Sequence, residues 1–300
     1  MALRNDLPDA ETGEPIRCVE TPALMIDGFD RHVGMRKTCV GIAVALGCTL
    51  AFAAADGSSM DAAKTIAPSG HLRAAINYGN PVLAQKDPRT GEPRGVSAEL
   101  ARELGRRLNL PVDFIPYESA GKVTDALQSG AWDVAFLAID PVRSAGITYT
   151  APYVLIEGAY LVPDASSIRT NDDVDRAGVR VSVGRGSAYD LFLTRALKNA
   201  QLVRVTTSAD AMDAFLRDHL DVAAGVKQPI TAFATAHPGL RVLPGRFMVI
   251  EQAVGIPKAR EAATPFMRAF VEEMKASGFV ARALAASGQS DATVAPASPP

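Results

Sequence analysis

The feature that most restricts the fold is a regular alternation of short apolar strands with amphipathic helices. Leu72–Ile76 is predicted as a strand, and the segment Val96–Leu108 has an apolar residue at every fourth position, which places these side chains on one helical face. Asp133–Leu137 follows a further helix and is predicted as a buried strand. Strands and helices in this order build βαβ units, so we predict a mostly parallel sheet covered by helices.

The same order of elements occurs twice. A helix over 122–128, a short turn and the strand Asp133–Leu137 correspond to a helix that Ser208 caps, a turn and the strand Leu220–Ala224. Two similar units of this kind predict an α/β protein with two lobes. The last segment, 286–300, is mainly Ala, Ser and Pro, and this composition predicts a disordered tail.

Composition excludes several classes of protein. The chain has 300 residues, a formal net charge of −2, 48% hydrophobic residues and only three cysteines. These values fit a soluble globular protein of one large or two modest domains, and not a disulfide-dense miniprotein or a disordered chain. The near-neutral charge argues against a nucleic-acid partner, because such proteins normally carry a basic excess or a basic stripe.

The N-terminal region has the pattern of an export signal. A short basic region at Met35 precedes an uncharged run over 38–55, which contains an A-x-A site. We predict a secretory signal peptide over 35–53, with cleavage after Ala53 and a periplasmic location. Signal peptides begin at the N-terminus, so we interpret residues 1–34 as an extension that is not translated, with translation starting at Met35.

Two other interpretations of the apolar run stay open. A run of this length is just enough to span a bilayer, although its Ala and Gly content favours a cleaved signal. A lipoprotein signal that ends at Cys48 would anchor the protein by a lipid, but Ala45 replaces the leucine that is usual there. All three cysteines lie upstream of the predicted cleavage site, so the mature chain is expected to have no thiol or disulfide chemistry.

Several short motifs then follow in a specific order and spacing. They are Gly70–Arg73, Gly91–Ala101, Ala126–Val134, Ile139–Arg143 and Tyr149–Tyr153. In these motifs, and over residues 66 to about 284, the chain resembles the extracellular solute-binding proteins of family 3. Those proteins are the receptors of ABC importers for amino acids and related polar solutes.

The resemblance implies a type II periplasmic-binding-protein fold. Two lobes, each a mostly parallel sheet flanked by helices, would be joined by a two-strand hinge, with a small-molecule ligand in the cleft. Lobe 1 would comprise 64–156 plus 248–285, and lobe 2 would comprise 157–247. The implied partner is an ABC permease of the inner membrane, and we expect a monomer without a cofactor.

Arg143 is the first candidate for a ligand contact. It follows a buried strand, and a guanidinium there can hold a carboxylate through two parallel hydrogen bonds. The resemblance assigns this arginine to the ligand carboxylate. The alternative from the residues alone is a surface arginine paired with Asp140.

Further candidates lie at strand ends. Gly184–Ala188 begins a helix, where free N–H groups of Ser187 and Ala188 attract anions, although Ser187 as a plain helix cap is the commoner case. Asn77 and Asn80 follow the first strand, where they either contact a polar ligand group or form a turn.

Departures from the family pattern bear on the ligand. Ala138 stands where a Ser or Thr is usual, so that only its backbone N–H is available. The second-lobe aspartate that pairs with an α-ammonium would fall near Val226, which is followed by Lys227. We therefore predict a carboxylate or other anionic solute, unless Asp140 or Glu157 supplies the missing negative charge. Lys227, Asp140 and Glu157 are further candidate ligand contacts.

The sequence offers few residues that would make the chain an enzyme. Cyclohexadienyl dehydratase has this fold, and Glu157 or Glu118 would be its candidate acid here. The S-x-x-K match at Ser119–Lys122 lacks its companion motifs and is attributed to chance. The histidines show no metal-ligand spacing, so no metal site is predicted. We predict a binding protein, not an enzyme, that captures a small polar or anionic solute (an amino acid, a carboxylate or a related compound) in the cleft. The dehydratase and an orphan solute receptor are the alternatives.

Overall fold

The computed structural model describes residues 59–299. Helix α1 covers 59–66, immediately before the first strand. The predicted extension over 1–34 and the predicted signal peptide over 35–53 lie outside the described residues. None of the helices within 59–299 is long and apolar enough to cross a membrane.

Lobe 1 is built on three parallel strands. They are β1 (Leu72–Asn77), β4 (Val112–Tyr117) and β5 (Val134–Ala138), with β1 between the other two. A small hairpin joins β2 (Gln85–Lys86) to β3 (Pro93–Arg94). The helices of this lobe are α2 (Val96–Leu108), α3 (Ala120–Asp125), α7 (Thr264–Ala276) and α8 (Phe279–Ala286).

Helix α2 shows how the sequence pattern forms this layer. Val96, Leu100, Leu104 and Leu108 are all buried, as their four-residue spacing predicts. Their shared face packs on the sheet, whose strands β1 and β5 are themselves almost fully buried. Burial of apolar side chains between these layers supplies the main stabilisation, at about 25 cal/mol per Å².

Two long antiparallel strands join the lobes. They are β6 (Ile147–Pro163) and β11 (Met248–Pro257). The partner of β6 changes at Gly158. The part of β6 up to Gly158 pairs with β11, whereas Gly158–Leu161 pair with β9 of the second lobe. The strand order is therefore β4-β1-β5-β11-β6-β9-β7-β8. The exact lobe boundaries stay a prediction.

Lobe 2 repeats the arrangement of lobe 1. Its strands are β7 (Arg180–Gly184), β8 (Gln201–Val205), β9 (Val222–Val226) and β10 (Leu240–Val242). Strand β7 runs parallel to both β8 and β9. The helices are α4 (Ala188–Ala196), α5 (Ser208–Arg217) and α6 (Lys227–Ala236).

The C-terminal segment differs from its prediction. Strand β12 (Thr293–Val294) pairs with β6, and the Ala295 N–H donates to the Tyr153 carbonyl oxygen at 3.1 Å. Ala292 and Ala295 are buried. Small residues predicted disorder because they bury little surface alone, but the open edge of β6 supplies backbone partners that the composition does not reveal.

Candidate functional site

Arg143 lies between the two lobes. It begins the short helical turn Arg143–Ala145 after β5, and only 2% of the residue is exposed. Its Nη1 donates to the Ala138 carbonyl oxygen at 3.0 Å, within lobe 1. Its Nη2 donates to the Gly186 carbonyl oxygen of lobe 2 at 2.7 Å. The guanidinium therefore spans the cleft.

Among the described residues, the charge of Arg143 has no counterion. Within residues 59–299, no carboxylate forms an ion pair with it, and its buried Nε has no hydrogen-bond partner. Burial lowers the pKa of Arg143, while Tyr149 and Asp140 act in the opposite direction. An arginine starts from such a high pKa that it stays charged. Two of its five N–H groups are used, so the free Nε–H and an adjacent Nη–H can hold an anion.

A small polar cavity surrounds this guanidinium. Its volume is about 40 Å³. Polar side chains from both lobes and from the hinge line it: Asn77, Asn80, Ser119, Arg143, Arg185, Ser187, Tyr189, Ser208 and Gln252. No aspartate or glutamate is among its lining residues. The cavity therefore has a positive charge balance.

Helix α4 points its N-terminus at this cavity. Ser187 caps the helix, since its Oγ accepts from the Asp190 N–H at 3.0 Å. Ser187 and Ala188 both line the cavity. The hydroxyl thus performs the capping role. The Ser187 N–H, predicted to be free, donates to the Gly184 carbonyl oxygen at 3.1 Å, and the Gly186 N–H donates to Asp190 Oδ2 at 2.8 Å. Of the two predicted donors, the Ala188 N–H is left at the helix start, where the helix favours negative charge.

Asn77 and Asn80 lie on the lobe 1 side. The Asn77 Oδ1 accepts from the Gly79 N–H at 3.0 Å, so this residue does form the turn that was the alternative to ligand contact. Asn80 is buried, and its Oδ1 has no partner. Of the two amides, Asn80 has the unused acceptor.

The two lobes meet in van der Waals contact beside Arg143. Gly121, in the first turn of α3, faces Gly186, and a Cβ added at Gly121 would lie 2.8 Å from the Arg185 carbonyl oxygen. Gly186 also has a φ of +69°, which favours glycine. The two glycines allow this close approach of backbones.

Asp140 does not line the polar cavity, in contrast to its prediction as a ligand contact. Its Oδ2 accepts from Nη2 of Arg195 on α4 at 2.7 Å, and its side chain is 4% exposed. Arg195 belongs to lobe 2, so this ion pair connects the lobes. Asp140 is close in sequence to Arg143, but in the folded chain Arg195 of lobe 2 lies against it and uses its carboxylate.

Glu157 and Lys227 are also placed away from the polar cavity. Lys227 Nζ donates to Glu157 Oε2 at 2.7 Å, and Arg246 Nη1 donates to Glu157 Oε1 at 2.7 Å. These two contacts lower the pKa of Glu157, with Lys227 contributing most. The two predicted ligand contacts are therefore held in an ion-pair cluster of one carboxylate and two cations outside the polar cavity.

A larger chamber adjoins the polar cavity. Its volume is about 520 Å³, and Gly79, Tyr189, Ser208 and Val226 line both spaces. Most of its other walls are apolar side chains: Tyr78, Pro81, Met212, Pro229, Ile230 and Phe233. The cleft therefore combines a polar end at Arg143 with an apolar space.

A family comparison covers most of these elements. Residues 72–286 match the model of the bacterial extracellular solute-binding proteins, family 3. The chain belongs to this family. Family 3 proteins bind solutes outside the cytoplasm, so the resemblance predicted from the sequence motifs is confirmed. No curated protein sequence matches the chain.

Solved structures show the same fold. A mutant of the arginine-binding protein ArgBP from T. maritima has a TM-score of 0.64 at 21% identity, covering 74% of this chain and 97% of that one. The L-cysteine receptor of Neisseria gonorrhoeae has a TM-score of 0.66 at 19% identity, covering 75% and 92%. The predicted type II periplasmic-binding-protein fold is confirmed.

A third similar structure relates to the enzyme alternative. It is the ancestral amino-acid-binding protein AncCDT-1, described as a precursor of cyclohexadienyl dehydratase. Its TM-score is 0.63 at 21% identity, and it covers 75% of this chain and 97% of that one. At this identity the likeness concerns the fold alone.

The structure of this family 3 chain brings together six of the predicted site residues. Asn77, Asn80, Ala138, Arg143, Ser187 and Ala188 all line the polar cavity. Sequence reasoning missed Gln252, which is 4% exposed on β11. A polar Glu251–Gln252 pair within a mainly apolar strand was the available signal, because buried amides are usually hydrogen-bonded.

Two residues of the S-x-x-K match have structural roles. The Ser119 side chain accepts from the Lys122 N–H as the N-cap of α3. Lys122 Nζ donates to Glu118 at 2.6 Å, and the Glu118 side chain is 72% exposed. Ser119 does line the polar cavity, so its hydroxyl remains near the site.

Proposed function

We propose that this chain captures a small anionic solute in the cleft and presents it to an ABC permease of the inner membrane. The observation that carries the proposal is the buried Arg143, which is 2% exposed and has no carboxylate partner within residues 59–299. A buried charge without a counterion is costly, so an anionic ligand that pairs with it gains correspondingly in binding. Family membership supports transport as the purpose of this binding.

The proposed site consists of an anchor and orienting groups. Arg143 holds the carboxylate, and the Ala188 N–H at the start of α4 meets the same charge from lobe 2, while the Ser187 N–H donates to the Gly184 carbonyl oxygen. Asn80 offers an unused amide oxygen for a donor on the ligand. A ligand that touches both lobes stabilises the closed form relative to the open one.

Export completes the proposed role. Residues 35–53 would direct the chain to the periplasm, where it acts as a monomer without a cofactor. Mass spectrometry of the exported protein tests this: a mature N-terminus at Ala54 supports the signal peptide, whereas a lipid on Cys48 supports the anchored alternative.

A thermal-shift screen tests solute binding. Amino acids, dicarboxylates, opines and aromatic acids are added to wild-type protein and to the Arg143→Ala variant. A ligand at 100 times its Kd stabilises the fold by about 2.7 kcal/mol. We expect anionic compounds to raise the Tm of the wild type and not of the variant. Equal shifts in both proteins would contradict the role of Arg143.

Binding rather than catalysis is proposed because the cavity around Arg143 is lined by no carboxylate. Glu157 is held by Lys227 and Arg246, and Glu118 is largely exposed. A dehydratase needs a protonatable group at the reacting atoms. Product analysis after incubation with the ligand separates the two functions, since a receptor returns it unchanged.

A further inference from the structure

The size of the polar cavity restricts what it can hold. Its volume is about 40 Å³, which is room for roughly three water molecules at about 10–15 Å³ each. This space accepts the carboxylate head of a ligand and little else. The rest of any larger ligand must therefore extend beyond the cavity.

The adjoining chamber is the space into which the ligand can extend. It measures about 520 Å³ and shares four lining residues with the polar cavity, so the two spaces are neighbours in the cleft. Met212 and Ile230 are buried, with exposures of 8% and 2%, and Phe233 packs against the His237 ring at 4.0 Å. This wall is preformed and apolar, as is usual where a ligand's hydrocarbon part binds.

The same walls offer no carboxylate partner for an ammonium group next to the ligand carboxylate, since the unused acceptor at Asn80 is a neutral amide oxygen. The polar cavity contains two arginines and no acidic side chain. Val226 stands where the two spaces meet. In an α-amino acid held by Arg143, the ammonium would lie one carbon from the carboxylate, desolvated and near a guanidinium.

The acidic residues of the chamber do not change this balance. Glu118 and Asp213 line it, but the Glu118 side chain is 72% exposed and pairs with Lys122, and Asp213 is exposed. Charges in contact with water interact weakly with a ligand group deeper in the cleft.

We infer that the ligand is a carboxylate that lacks an α-ammonium and carries an apolar body, aromatic or branched, which fills the chamber between Tyr78 and Phe233. This inference rests on the proposed function, because it takes Arg143 as the anchor of the carboxylate. It adds the substrate class: hydrophobic monocarboxylates in place of zwitterionic amino acids.

Calorimetry with matched compounds tests the inference on the full exported chain. The probes are phenylacetate, 3-phenylpropanoate and 4-methylpentanoate, with L-phenylalanine and L-leucine as their amino counterparts and butanoate as the short acid. We expect the best apolar acid to bind at least tenfold more tightly than its amino counterpart and than butanoate. Equal or tighter binding of the amino acid, equal binding of butanoate, or no binding of the three apolar acids would overturn the inference.

A variant that fills the chamber tests whether the apolar part of the ligand binds there. Ala209 is exposed on the first turn of α5 and lines the chamber, so Ala209→Phe occupies this space from a position that the core does not need. We expect at least a tenfold loss of affinity for 3-phenylpropanoate. Ala236→Phe, at an exposed alanine of the same lobe that lines neither space, is the control and should change affinity less than twofold. Unchanged binding by Ala209→Phe would contradict the chamber.

The two proposals fail in different ways. 3-Phenylpropanamide has the same apolar body without the charge, and equal binding of amide and acid would contradict the anionic anchor of the proposed function. If L-phenylalanine or butanoate binds as well as 3-phenylpropanoate and all binding is lost in Arg143→Ala, then the anchor stands and the inference about the apolar body is wrong.

Discussion

The Arg143 Nη2 of lobe 1 donates to the Gly186 carbonyl oxygen of lobe 2 at 2.7 Å. This bond connects the predicted ligand anchor with the turn before α4, so ligand binding and lobe closure involve the same group. The Nε of the same guanidinium has no partner. An anion there can bind without breaking the bond between the lobes.

Replacing Arg143 tests the anchor directly. Arg143→Ala is expected to weaken the binding of an anionic ligand by about 2 to 4 kcal/mol, because a buried ligand charge loses its partner. Arg143→Lys should recover only part of this loss, since an ammonium lacks the planar fork of a guanidinium. Titration calorimetry measures both variants. Unchanged affinity in Arg143→Ala would mean that the ligand binds elsewhere.

Gly121→Ala should oppose closure without harming the fold. An added Cβ lies 2.8 Å from the Arg185 carbonyl oxygen, while alanine stabilises a helix by roughly 0.5–1 kcal/mol relative to glycine. We expect at least tenfold weaker ligand binding, a larger radius of gyration in X-ray scattering and an undiminished Tm without ligand. Lys122→Ala, exposed on the same helix, is the control. Normal closure and affinity in Gly121→Ala would refute the close contact of the lobes.

Arg195→Ala removes the ion pair between the lobes. The Arg195 side chain is 43% exposed, so its pair with Asp140 is worth about 1 kcal/mol or less. We expect ligand dissociation to become about twofold to fivefold faster in stopped-flow measurements, because the pair acts in the closed form. The control is Arg217→Ala, whose partner Asp218 is its neighbour in lobe 2. An equal effect in both variants would argue against a role in closure.

The buried ion pairs of Asp133 should make the stability of the fold depend on pH. Its side chain is fully buried and pairs with Arg73 and Arg260. Burial raises the pKa of Asp133, but the hydrogen bonds from Arg73 and Arg260 outweigh this effect, so that the net pKa is lowered. The stabilisation is then present above the pKa of the unfolded chain, about 4, and is lost as the pH falls through the lower folded pKa.

The variant Asp133→Asn tests this assignment. We expect it to lower the free energy of unfolding at pH 7 by about 3 to 5 kcal/mol, because two arginines lose their buried partner. The loss of stability from pH 5 to pH 3 in urea titrations should become smaller than in the wild type. Asp113→Asn, half-exposed at the neighbouring strand, is the control. An unaltered pH profile in Asp133→Asn would disprove the assignment.

Removal of residues 289–300 tests the C-terminal strand. The truncation removes the β12 pairing with β6 and the hydrogen bond from Ala295 to Tyr153. With a typical net value of about 1 kcal/mol for each hydrogen bond, we expect the free energy of unfolding to fall by roughly 1 to 3 kcal/mol. Denaturant titration measures it. Rapid removal of this segment from the intact chain by protease, without a change in stability, would support the disordered tail.

Local sequence signals predicted much of the lobe architecture. The four-residue apolar spacing of α2 and the buried strand β5 lie where the pattern placed them. Strand β6 has 17 residues and was not evident from alternation, because it passes from one lobe to the other and its buried face changes along its length. Its partner β11 is a single strand whose register with β6 shifts near Gln252, an irregularity that alternation does not predict.

The candidate site was likewise only partly predictable from local sequence. Arg143, Asn80 and Ser187 follow strands whose ends meet in the cleft, so a sequence pattern could find them. Gln252 comes from the return strand of the hinge, more than 100 positions after Arg143. Only the pairing of β11 with β5, which places Gln252 opposite Ala138, brings this amide to the site.

The sequence alone determined the α/β class and the family and pointed to Arg143 as the candidate anchor, because these depend on periodicity and on motifs within short segments. The tertiary structure decided which charges are free. Asp140 pairs with Arg195, 55 positions away, and Glu157 pairs with Lys227 and Arg246, 70 and 89 positions away. Charge pairing depends on distances of a few ångströms between segments that only folding brings together, and it leaves Arg143 as a buried cation without a carboxylate partner among the described residues.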